Sequence, residues 1–241
     1  MFFQSVLEKL RLIRERLIRA IPRLDNSESG MRNFLQGRID LAQKLRTSAL
    51  SVHYADLVLI LTSVISACAA WRWPGRGFDA KRFIETLVHF NSTELNVERI
   101  SIGGLLELEL ISEAESPWAS IGDRYRIFTG DEIDGSLEEM SLKFPTISTA
   151  DLKKASYAAL IYRWLRCGYA HEYWAAGNTT HVAPSNTPGQ ISYIGRLQPD
   201  KSVVRMSSFH LEYLFDVTQQ QVSKLSDKSI KQPDRWWIDE P

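Results

Sequence analysis

Cysteine is scarce in this chain. The 241 residues include two, Cys68 and Cys167, set far apart and forming no C-x-x-C pair. That argues against a disulfide framework or a zinc site and fits a reducing cytosol. An excess of charge of either sign is also missing, since 29 Lys and Arg balance 29 Asp and Glu. Overall neutrality counts against tight, nonspecific binding of nucleic acid through a wholly basic surface. There is no low-complexity tract and no internal repeat, so repeat architectures and long disordered tails are not indicated. The start, Met1-Phe-Phe-Gln-Ser, lacks a basic segment followed by an apolar one, and no signal peptide is expected. The apolar stretch from Leu57 to Ala70 is 14 residues long and adjoins Asp56. It falls below the roughly 18 residues that span a bilayer, so a buried helix and no stable membrane insertion are expected.

What is present is a polarity of charge along the chain. Residues 1–50 hold 10 Lys and Arg against 5 Asp and Glu, and residues 101–150 hold 3 against 10. Such asymmetry serves pairing within a chain or between subunits as readily as it serves an acidic or basic ligand. Residues 1–24 read as a basic amphipathic helix, with Val6, Leu10, Ile13, Leu17 and Ile21 forming an apolar stripe before Pro22 interrupts it. This helix is either an arm for RNA or a membrane surface, or a helix packed on the domain with a solvated basic back.

The remainder, 25–241, has the length and composition of a single domain. Helices are expected from about Met31 to Leu50, from about His53 to Trp71, and over Ala80–Phe90 with Asp79 as cap; Pro74 and Gly75 end the second. A short helix is expected within Ile100–Leu110 and an extended piece near Arg124–Gly130. The acidic run Asp131–Glu139 lacks the ligand spacing of a calcium loop and reads as a solvated loop. Thr149 opens a helix that continues through Ala158 to the aromatic stretch Tyr162-Arg-Trp-Leu. Residues 175–189 are an irregular linker. Gln190–Arg196 and Ser202–Ser207 alternate apolar and polar residues across a turn and predict a β-hairpin. Ser208 is expected to cap a last helix ending near Leu225, before a Trp236-Trp237 tail.

One stretch carries chemistry. In Leu165-Arg166-Cys167-Gly168-Tyr169-Ala170-His171, an arginine precedes a histidine by five positions, with Glu172 and Tyr173 following. Arginine offers a planar fork for phosphate oxygens, and histidine titrates near neutrality. Arg-x4-His in a helical setting resembles the signature of the HEPN superfamily, small helical domains that include many metal-independent ribonucleases. The block from Tyr54-Ala-Asp-Leu-Val-Leu through Arg82-Phe-Ile-Glu also resembles the front half of some bacterial HEPN proteins.

The resemblance implies a mainly α-helical bundle, here with an extra N-terminal helix and a small C-terminal β-hairpin. It also implies a homodimer whose cleft collects two arginines and two histidines. Arg166 would hold the scissile phosphate and His171 would transfer protons, leaving a 2′,3′-cyclic phosphate without cofactor or metal. Cys167, Tyr169, Glu172 and Tyr173 would support the site or contact substrate, with Tyr169 and Tyr173 the better placed for stacking on RNA bases. Cys167 departs from the pattern, because the residue after the arginine is often Asn, Asp or His in that family. On a straight α-helix five positions also amount to about 140° between side chains, so the pair does not share a face.

Two functions follow as expectations: a cytoplasmic endoribonuclease of toxin or anti-phage defence type, regulated by an antitoxin or other protein, or an inactive interaction or nucleotide-binding module on the same fold. A bland alternative for the motif itself is a histidine bonded to a backbone carbonyl and an arginine paired with Glu172 or another carboxylate. His53, His89, His181 and His210 show no ligand spacing, and Arg72 and Arg76 flank Pro74-Gly75 where they could extend a phosphate-binding surface.

Overall fold

The expected long helices and the hairpin are both realised in the computed structural model, which describes residues 27–48, 53–119, 125–172, 179–180, 189–200, 203–226 and 231–239. The expected basic helix at 1–24 and most of the 175–189 linker lie outside the described residues, as do Tyr173 and His181. The described chain is mainly helical and carries a small three-stranded antiparallel sheet.

α1 spans Glu28–Thr47 and begins where Ser27 accepts a hydrogen bond from the Gly30 amide, an N-cap with acidic Glu28 in the first turn. It buries Leu35, Ile39 and Ala42, a spacing of four and three that makes one face. α2 covers Tyr54–Arg72, and eight of its side chains, including Leu57, Leu61, Ile65 and Cys68, are buried. By length and composition it is the single helix among the described residues that would suffice to cross a membrane. Its inner face is core, packed by α1, by α3 (Asp79–Phe90) and by α10 (Leu211–Ser223). Polar ties fix these helices to one another. Gln36 and Gln219 exchange amide hydrogen bonds at 3.0 and 2.8 Å, and the Arg46 guanidinium pairs with Glu212. One continuous cluster of buried side chains runs from Leu35 to Trp237.

α4 (Ile102–Glu107) and β1 (Phe128–Thr129) fall in the regions expected to be a short helix and an extended piece. The acidic stretch is not a loop. It folds into α5 (Gly130–Ile133) and α6 (Leu137–Lys143). The cause is local: Glu132 and Glu139 accept hydrogen bonds from the Thr129 and Ser136 amides at 2.8 and 2.7 Å, two capping boxes in succession. α7 (Thr149–Lys154) likewise stops early. Ser156 caps a separate α8 (Tyr157–Leu160), while the Tyr157 and Ala158 amides bond back to the Arg99 and Val97 carbonyls at 2.9 and 2.8 Å.

β2 (Ile191–Leu197) lies between β1 and β3 (Val203–Phe209), pairing Tyr193 with Phe128 on one side and with Ser207 on the other. Ser208 therefore belongs to a strand, and His210 precedes the last helix in the capping position instead.

Beneath the sheet sits a buried carboxylate, Asp134. Its Oδ2 accepts from the Tyr157 and Tyr193 hydroxyls at 2.7 and 2.6 Å, and its Oδ1 accepts from the Ile102 amide at 2.8 Å. Burial pushes its pKa up to about 7 against the pull of these donors. The side chain thereby fastens α4, α8 and β2 to the α5–α6 corner. Gly130 makes room for it, since a Cβ there would stand 2.1 Å from the Tyr157 hydroxyl oxygen.

Candidate functional site

The helix begun at Tyr157 does not continue as a regular α-helix. Residues Ile161–Cys167 form a π-helical turn, and Gly168–Glu172 resume as α9. A π turn bonds residues five apart, and such turns occur often at functional sites. Cys167 follows Tyr162 by five positions across this turn, close enough to act on the tyrosine hydroxyl. Arg166, half-buried, has its guanidinium carbon 5.7 Å from the Tyr162 ring centre, within cation–π range. The Tyr162 ring in turn packs edge-on against Phe83 of α3 at 5.3 Å. Burial raises the pKa of Tyr162, the Cys167 contact raises it further, and the Arg166 charge opposes both. A guanidinium, a phenol and a half-buried free thiol thus share one corner between the π turn and α3.

Arg166 makes no ion pair with any described carboxylate, Glu172 included, and His171 makes no side-chain hydrogen bond to a described residue. The neighbouring arginine behaves differently: Arg163 pairs with Glu107 at 3.3 Å and donates to the Lys154 carbonyl at 3.1 Å. His171 and Glu172 are exposed on the last turn of α9. Arg166 and His171 do not touch within one chain, and most of the interval between them belongs to α9, where the angular offset of a regular helix applies.

Tyr169 departs from its expected role. It is 4% exposed, its ring meets Tyr54 of α2 at 6.2 Å, and burial pushes its pKa up to about 12. It is core, and no base could stack on it without displacing α2. Trp164 is also core, against Phe209. Arg72 is drawn inward, bonding Gln221 and lying 3.8 Å over the Phe90 ring, whereas Arg76 is exposed. His89 bonds Glu85, and buried His210 bonds Ser192 at 2.7 Å with its pKa lowered by burial. Among the described residues no three His, Cys, Asp or Glu side chains converge. Sequence reasoning passed over Tyr162 as a partner of Arg166, although its place four residues earlier on a helix was the available signal.

Comparison with protein-family models, with curated proteins and with solved structures finds no match to this chain.

Proposed function

We propose that the chain is a HEPN-like, metal-independent endoribonuclease. Arg166 binds the scissile phosphate and His171 transfers protons between the 2′-hydroxyl, the phosphate and the leaving 5′-oxygen. The observation that carries this reading is the state of Arg166, a half-buried cation at a π turn with no described carboxylate to neutralise it. A half-buried guanidinium with no described carboxylate against it is available to an anionic ligand, whose oxygens its fork can hold. Glu172, exposed and next in sequence to His171, assists. Because the two motif residues are apart in one chain, the reading requires a homodimer that brings His171 of each copy toward Arg166 of the other. It acts in the cytoplasm in a toxin or defence setting, where an antitoxin or regulatory protein holds it in check.

A second reading, an inactive interaction or nucleotide-binding module, draws on Cys167. The position that the family often gives to a polar Asn, Asp or His is taken here by a half-buried free thiol.

The deciding experiment incubates wild-type protein, Arg166→Ala and His171→Ala with mixed RNA in EDTA and examines product ends. Cleavage by wild type alone, leaving cyclic phosphate, supports the ribonuclease. No cleavage by a folded, dimeric wild type moves the assignment to the module.

A further inference from the structure

The Trp236–Asp239 stretch is held by buried charged side chains on two helices. Glu85 of α3, 2% exposed, accepts the Trp237 amide through Oε2 at 2.6 Å. Lys153 of α7, 4% exposed, donates to the Trp237 carbonyl at 3.0 Å and lies 5.0 Å over its indole. Two buried charges of opposite sign, 152 and 84 positions away in sequence, grip both main-chain groups of one residue. Trp236 inserts its ring into a second, separate apolar cluster with Trp73 and Phe90, edge-on to Trp73 at 5.7 Å and 5.3 Å from Phe78. Asp239 reaches Lys81 at 2.7 Å, one turn before Glu85 on the same helix.

Trp237–Asp239 form a single 3-10 turn, and main-chain groups held by fixed partners, with side chains entering flanking pockets, are how folded domains read short peptides. We propose that the face formed by α3, α7 and the Trp73–Phe78 turn is a peptide-binding site. It takes an aromatic–aromatic–x–carboxylate segment, is filled in cis by Trp236–Asp239, and accepts the same segment from a second copy of this chain. The chemistry selects this occupant. A proline at the clamped position would lack the amide that Glu85 requires, the preceding residue must fill an aromatic pocket, and a carboxylate two positions on must meet Lys81. Trp236-Trp237-Ile238-Asp239 satisfies all three, and it is the one run in the sequence of the form aromatic–aromatic–x–carboxylate. Exchange between copies forms the same bonds on both sides, so it is a low-cost route to association.

The test uses a fluorescein-labelled peptide of residues 231–239 and the full chain carrying Trp236→Ala with Trp237→Ala, which removes the resident anchors and keeps the receptor. The double variant is expected to bind the peptide saturably, at least tenfold more tightly than wild type, whose own segment competes. Adding Lys153→Met or Glu85→Gln is expected to weaken that binding at least tenfold, and a peptide with both tryptophans replaced is expected not to bind. A cooperatively folded double variant that ignores the peptide, or binding indifferent to Glu85 and Lys153, overturns the proposal. Should the double variant not fold, Asp239→Lys removes one anchor alone; it must bind the peptide more tightly than wild type, and equal binding also overturns the proposal. Capture of the peptide by the double variant with no association between that variant and wild-type chains refutes a second copy as the source.

Discussion

The Tyr193 hydroxyl donates to Asp134 Oδ2 at 2.6 Å, joining the middle strand of the sheet to a carboxylate buried at the α5–α6 corner. Burial raises the pKa of Asp134 from 3.8 to about 7, so the folded chain holds this proton more tightly than the unfolded chain does. The stability linked to Asp134 is complete below about pH 4, declines as pH rises through about 7, and is level above. A shift of this size corresponds to on the order of 4 kcal/mol. Asp134→Asn cannot titrate there. Urea unfolding across this range should show wild type losing ground to the variant as pH rises from 4 to 7.5; a constant difference would refute the assignment.

Gly130 tests the same corner sterically. A Cβ at this position meets the Tyr157 hydroxyl at 2.1 Å and Asp134 Oδ2 at 2.9 Å. Gly130→Ala should destabilise the fold by about 1–3 kcal/mol, the usual cost of overpacking, and thermal unfolding would reveal it.

For Arg166, a lysine retains the charge and loses the fork. If phosphate is bound bidentately, Arg166→Lys should reduce RNA cleavage by at least about tenfold. Activity close to wild type in that variant would show that a point charge suffices.

The two thiols should behave differently. Cys68 is buried in α2 and burial pushes its pKa up to about 12, whereas Cys167 is half-buried at the site. Since the thiolate is the reactive form, a disulfide reagent should titrate one thiol in the native protein and two in denaturant. Modification of both at equal rates in native protein would contradict the packing of α2.

The long helices were legible because each buries a periodic stripe of its own residues, and the hairpin because two alternating runs flank a turn, although burial in it concentrates at the Ile191 and Phe209 ends. α1 begins three residues earlier than expected, since Ser27 with Glu28 is a better start than the apolar Met31. The acidic run has the charge density of a loop, but its capping pairs, Thr129 with Glu132 and Ser136 with Glu139, start helices within it. Asp134 lies inside that run, and its burial depends on Ile102, Tyr157 and Tyr193, residues 32, 23 and 59 positions away. No local pattern encodes such a meeting. The candidate pair Arg166 and His171 was visible as a spacing, but the burial of Tyr169 depends on Tyr54 across the core.

The π turn has a consequence for how this chain tolerates length changes. A π turn amounts to one residue too many for a regular α-helix, so everything after Cys167 is set by that surplus. The turn absorbs the surplus, so removing a single residue from 161–167 would restore regular winding and leave Tyr169 against Tyr54 and His171 on its present bearing. Rewinding the same seven residues as a regular α-helix would instead turn everything after Cys167 by about 100°. In this segment the bulge, and not the length, holds the heading of the histidine.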